Sequence, residues 1–152
     1  MRMKDQKGIT LMILVVTIIV MGLIAGTISY NSIATYQLNA YYMMCSDIEL
    51  LDEKIALYYL ENQELPIQSE SIQITALIPD YAEGNANYNP NNSGTLYKID
   101  LTELNNLSLR QTNYYIDEQS HTIYSASGKV IEEEKYYTIP MNYQQVDLSL
   151  YQ

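Results

Sequence analysis

The chain has 152 residues, with 18 acidic against 8 basic side chains and a formal charge of −10. That length suits one modest domain plus an appendage, and the acidity argues against broad phosphate binding, which rests on Lys and Arg. Apolar residues crowd the first third, while the remainder is acidic and polar, as a surface kept soluble by charge would be. With 16 Tyr and neither Phe nor Trp, tyrosine must supply nearly all the aromatic packing, and each buried hydroxyl needs a partner. The single cysteine, Cys45, excludes an intrachain disulfide. No base or cation adjoins it in sequence to make it reactive.

Residues 1–8, MRMKDQKG, form a short basic leader with Arg2, Lys4 and Lys7 against Asp5. No charged residue follows until Asp47. A bilayer-spanning helix needs roughly 20 apolar residues, and Ile9 to Ile28 meets that length. Residues 9–30 are therefore predicted to span a membrane, with the Thr10, Thr17 and Thr27 hydroxyls returned to helix carbonyls. A buried core helix and a cleaved secretory signal are the competing readings. The apolar stretch is longer than a signal core, and Ala25-Gly26-Thr27 is a poor small-residue cleavage site. The positive-inside rule places the leader in the cytoplasm and the C-terminal part outside. Tyr30, Tyr36, Tyr41 and Tyr42 can serve as an interfacial belt.

Lys7-Gly8-Ile9-Thr10-Leu11 ahead of a long apolar run resembles the processing site of type IV prepilins and type II secretion pseudopilins. The resemblance implies cleavage between Gly8 and Ile9 by a prepilin peptidase and N-methylation of Ile9. A side-chain-free glycine in extended conformation suits a protease groove at the membrane surface. One departure stands out. The family's usual glutamate at the fifth mature position is replaced here by Ile13. A carboxylate inside a bilayer costs about 2.5–3.5 kcal/mol on insertion scales, a cost the family recovers by pairing it with a neighbouring subunit's terminal amine. Ile13 cannot make that pair, so the chain is either a minor subunit, near a filament tip, or from a lineage that dispenses with the pair. Gly22 and Gly26 form a G-x-x-x-G pair that lets helices approach closely, although glycine is also common in membrane helices generally.

Beyond the span, Met44, Ile48, Leu51, Ile55, Tyr58 and Tyr59 recur at helical spacing, with acidic residues on other faces. Neither proline nor glycine interrupts the chain between Gly26 and Pro66. One helix from Ile9 to Asn62 would be roughly 80 Å long at 1.5 Å per residue. Its outer part must lay its apolar stripe on something, and a small sheet is the economical partner. A free-standing coiled coil is disfavoured by the short heptad pattern. Glu64-Leu65-Pro66 ends the helix.

Ile72 to Ile78 can form a short helix ending at Pro79. Glu83 to Gly94, EGNANYNPNNSG, is predicted to be a solvated loop without a calcium-site spacing. A helical turn is expected over Thr102 to Leu107. Strand signals follow at Tyr114–Asp117, His121–Ser125, Val130–Ile131 and Tyr136–Ile139, separated by turns, and read as an antiparallel meander. The expected fold is α+β: a long N-terminal helix, transmembrane then amphipathic, packed on a small antiparallel sheet. This order resembles pilin headgroups, here over residues 31–152. The C-terminal disulfide loop of many pilins has no cysteines to form it.

No catalytic, metal-binding or cofactor motif appears. His121 is the sole histidine, with Glu118 as its only plausible sequence neighbour, and reads as an exposed turn residue. Glu132-Glu133-Glu134 reads as a solvated tip or strand edge. The expectation is a non-enzymatic, membrane-anchored filament subunit of a pilus, competence or secretion system. The resemblance implies a prepilin peptidase, sister pilins, an assembly platform protein and an ATPase as partners. Direct nucleic-acid binding is not expected. The alternative is a single-pass surface anchor whose head binds a ligand without any filament.

Overall fold

The structure is a computed structural model that describes residues 2–141, except for the side chains of residues 2–7, 30 and 31. The leader charges Arg2, Lys4, Asp5 and Lys7 and the ring of Tyr30 therefore lie outside the described side chains. The architecture is α+β, a long N-terminal apolar helix contacting a four-stranded antiparallel sheet. The chain divides into two units between Tyr36 and Gln37. Helix α1, Arg2–Asn62, supplies the first unit and the helix of the second.

In the first unit every large apolar side chain of the span is open, from 46% exposed at Val20 to 71% at Met12. The second unit begins with the other half of the helix, which buries a single stripe. Tyr41, Met44, Cys45, Ile48, Leu51 and Ile55 are all at most 5% exposed, and their spacing of three, four and seven residues puts them on one face. The expected stripe is there, with Tyr58 half-buried and Tyr59 left open. The helix stops where Gln63 turns left-handed at φ 58° and returns its N–H to the Tyr59 carbonyl at 2.8 Å. Pro66 follows, fully buried, and its carbonyl accepts from Asp100 N–H at 2.7 Å.

Strands β1 (Ile67–Gln73), β2 (Thr95–Ile99), β3 (Tyr114–Asp117) and β4 (Ile123–Ser125) pair antiparallel in that order. Alternation along the strands sorts two faces. Ile99, Tyr114, Ile116 and Ile123 join the helix stripe in the main core. Leu96 and Tyr124 point the other way and form a second core with Ile74, Ile78 and Tyr137. The short helix α2 (Ile74–Leu77) contributes Ile74 to that second core.

Several sequence expectations are corrected here. Ile67–Gln73 is a strand, masked in the sequence by its polar run and by an irregular register between Ile67 and Ser71. The helix expected from Ile72 begins only at Ile74, because the β1 pairing with β2 continues through Gln73. The turn expected over Thr102–Leu107 is a single 3-10 turn, Leu101–Glu103, started by the Asp100 carboxylate accepting from Thr102 N–H at 3.1 Å. The meander ends at β4. Strands β5 (Lys129–Ile131) and β6 (Glu134–Tyr136) make a separate hairpin. The residues after it then cover β4: Ser125 N–H donates to the Tyr137 carbonyl at 2.7 Å and Thr138 Oγ1 to the Ile123 carbonyl at 2.6 Å.

The largest correction concerns Glu83–Gly94, which is irregular as expected but not simply solvated. Asn87 and Asn89 are only 2% and 9% exposed. Asn87 donates to the Lys135 carbonyl at 2.9 Å and accepts from Tyr137 N–H at 2.7 Å. Asn89 donates to Thr122 Oγ1 at 2.8 Å, and Asn92 to the hydroxyls of Tyr81 and Tyr124, each at 2.7 Å. An asparagine side chain carries a donor and an acceptor, so it can replace strand pairing where the backbone is irregular.

Three deeply placed tyrosines illustrate the cost of building a core this way. The Tyr114 hydroxyl donates to Asp47 at 2.8 Å, and Tyr124 donates to the Asn87 carbonyl at 3.2 Å. Tyr136 donates to Glu134 at 3.1 Å. Burial raises all three phenols above their ordinary value of 10, Tyr136 to about 12, with Asp47 and Glu134 adding to the rise at Tyr114 and Tyr136. Folding thus favours the protonated phenol, and the stabilisation is complete below pH about 10 and lost as pH rises through the folded values. The full chain in neutral detergent is expected to unfold cooperatively above pH about 10. Tyrosinate absorbance should rise together with loss of far-ultraviolet circular dichroism. Full ionisation of all tyrosines with unchanged dichroism would contradict the buried placement.

Candidate processing site and assembly stem

The Gly8–Ile9 bond lies inside α1, not in an extended segment. A helix-interior glycine costs about 1 kcal/mol relative to alanine, so the helix is intrinsically weak at this junction. A Cβ built on Gly8 would meet nothing within 4 Å, and Ile9 is 60% exposed. The bond is therefore reachable once the local turn opens.

Downstream, hydroxyls along the apolar run turn back onto the helix's own carbonyls. Thr17 donates to the Ile13 and Leu14 carbonyls at 3.0 and 2.8 Å, and Thr27 to the Ile24 carbonyl at 2.9 Å. Ser32 does the same to Ile28 at 2.9 Å. This suits a helix in hydrocarbon, where no water completes a hydroxyl's bonding. The best 18-residue window has a mean hydropathy of 2.8, so one helix is long and apolar enough to cross a membrane. Ile13 is 57% exposed in this run and offers no charge.

Gly22 and Gly26, four residues apart, share a face. A Cβ at either would meet nothing within 4 Å. Among the described residues no contact therefore requires glycine at these positions. Each carries a helix penalty of about 1 kcal/mol without internal compensation.

The remaining sequence candidates are scattered. Cys45 is buried in the main core; burial pushes its thiol up, and a Tyr41 hydrogen bond only partly offsets this. Glu132 and Glu133 form the exposed β5–β6 tip in left-handed conformations, φ 47° and 70°. Among the described residues no group of three or more His, Cys, Asp or Glu is placed to hold a metal. His121 is exposed in the β3–β4 turn at φ 60°. Its ring lies 5.7 Å from that of Tyr59, at the end of α1. The two line one groove of about 640 Å³ together with Glu118, the neighbour expected from sequence. Sequence reasoning missed Tyr59 because the contact joins residues 62 positions apart with no shared motif.

Comparison of the chain with protein-family models, curated proteins and solved structures finds no match.

Gly22→Leu with Gly26→Leu is expected to leave the melting of the head unchanged. In bilayers the pair should weaken stem–stem association, since small residues at the contact are what let two helices pack closely. Energy transfer between labelled full-length chains in vesicles measures this. Undiminished transfer would remove any packing role for the two glycines.

Proposed function

We propose that this chain is a non-enzymatic structural subunit of a type IV pilus-like or pseudopilus filament, cut between Gly8 and Ile9 and methylated on Ile9. The observation that carries the reading is one helix used in two ways. Its first part is a span-length apolar surface open all round, and its second part is buried along one stripe on a sheet. A stem of the first kind has no covering partner among the described residues. Lipid or sister stems can cover it equally well, as a subunit stored in a membrane and then assembled requires. The basic leader and acidic head support a cytoplasmic leader and an extracytoplasmic head. The partners that follow are a prepilin peptidase, sister pilins or pseudopilins, an assembly platform protein and its ATPase.

Ile13 favours a minor position in such a filament. A bulk subunit would leave a terminal ammonium poorly paired in an apolar stem at every repeat, and unpaired buried charge is strongly unfavourable. A single subunit near a filament end leaves few. The alternative of a plain surface anchor with a ligand-binding head is favoured by the groove at Tyr59 and His121, and processing separates the two readings.

Mass spectrometry of the membrane-bound form is expected to find Ile9 at the N-terminus, methylated, in cells with an active prepilin peptidase. An intact leader there would leave the surface-anchor reading standing alone. Quantitative mass spectrometry of sheared filaments is expected to find this chain as a small fraction of pilin mass. Dominance of the filament by this chain would refute the minor position and require another way of neutralising the N-termini.

A further inference from the structure

The groove beside α1 is walled by elements far apart in sequence. Tyr58 and Tyr59 come from the helix end, Asp100 and Glu103 from the β2 exit and its 3-10 turn, and Glu118 and His121 from the β3–β4 turn. Its volume of about 640 Å³ lies within the range of small-molecule sites, about 300–1,000 Å³. Tyr58 packs on the main core, so its position is fixed by the fold. Glu64 adds a further carboxylate, and among the described residues no Lys or Arg lines the groove.

We propose that this groove binds an organic cation, an alkylammonium or guanidinium group, held over the Tyr58 and Tyr59 rings and facing the carboxylates of Glu103 and Glu118. Aromatic faces attract cations through their quadrupole, and the attraction grows as water is excluded. Carboxylates at the rim supply net charge and steering. An aromatic cavity without the acids would take a neutral apolar ligand, and the acids on a flat surface would only gather counterions. The combination in one concave site selects a cation with an alkyl or planar body. The Tyr58 phenol already feels this field: loss of solvent and then the charges of Glu103, Glu64 and Asp100 hold its proton on. Asp100 also caps the 3-10 turn through Thr102 N–H and Oγ1, so it anchors the wall, and Glu103 and Glu118, both exposed, remain to meet the ligand. The proposal does not depend on the filament reading, because the groove belongs to the head in either case.

Titration of the full-length chain in neutral detergent tests it. The probes are spermidine, a blocked tri-lysine peptide, and the same peptide with its lysines acetylated. Two readouts apply: calorimetry, and the imidazole proton resonances, which are unambiguous because His121 is the only histidine. Saturable binding of spermidine or the lysine peptide is expected, with movement of the His121 resonances and no response to the acetylated peptide. Binding of spermidine alone points to a free polyamine, and of the peptide alone to a basic segment of a partner. Glu103→Gln with Glu118→Gln should weaken binding about tenfold, and Tyr59→Leu should weaken it as well. Glu132→Gln with Glu133→Gln, which removes the same charge from the hairpin tip, should not. The proposal is overturned if neither cation binds or if the acetylated peptide binds equally. It is also overturned if the His121 resonances stay still or if the tip variant weakens binding as much as the groove variant.

Discussion

Tyrosine without phenylalanine or tryptophan is the constraint from which most of the head follows. A buried aromatic ring here always brings a hydroxyl, and an unpartnered buried hydroxyl costs about 1–3 kcal/mol. The core therefore has to contain acceptors. Asp47, only 6% exposed on the buried face of α1, serves Tyr114 and also takes the Arg110 N–H at 3.1 Å. One carboxylate thus ties the helix, the third strand and the segment leading into it. On the opposite face of the sheet Tyr124 and Tyr81 meet Asn92. There the acceptors and donors come from a loop, and the loop is pinned down by having to supply them.

That second face explains why a segment so rich in Asn, Gly and Pro is ordered against the sheet. Asp117, fully buried, accepts from Ser93 N–H and Oγ at 2.8 Å each and from Gln119 and Ser120 N–H at 2.9 and 3.0 Å. A buried carboxylate is tolerable only when its acceptor positions are filled in this way. Ser120 Oγ donates to Asn92 Oδ1 and is hydrogen-bonded to the Thr122 hydroxyl. The network joins the loop to the β3–β4 turn, whose far side forms a wall of the groove at His121. The groove geometry is therefore underwritten by polar contacts on the other side of the same turn.

What was legible in the sequence is what depends on periodicity and punctuation. The helix stripe from Met44 to Ile55, its end before Pro66 and the strand at Tyr114–Asp117 each rest on local patterns that single residues enforce. Strand β1 was hidden because its pairing partner is distant and its exposed residues are polar. The roles of Asn87, Asn89 and Asn92 were hidden for a different reason. The chemistry that makes asparagine common in solvated loops also lets it staple a buried one, and only the tertiary surroundings decide between them. The run from Lys7 to Leu11 and the two stem glycines were legible as motifs, yet among the described residues nothing meets a Cβ placed at Gly8, Gly22 or Gly26. The groove was invisible because its walls share no segment.

The distribution of acids carries a last consequence for the stem. All 18 acidic residues lie outside the stretch from Gly8 to Ser46. In coiled coils a lone polar group in an apolar seam fixes register at a cost in stability, because misaligned neighbours leave it unpaired. This apolar stem carries no charged marker of that kind, and the Thr17 and Thr27 hydroxyls are turned back onto its own carbonyls. Sliding one stem along another exchanges one apolar contact for an equivalent one. Gly22 and Gly26 offer a steric feature that distinguishes a face and a level, since a neighbour's backbone can come close there. Were such a stem packed among others, its axial position would then be set by that glycine level together with contacts of the charged head. An intramembrane ion pair would have no part in it, and the stem itself would be permissive about its neighbours.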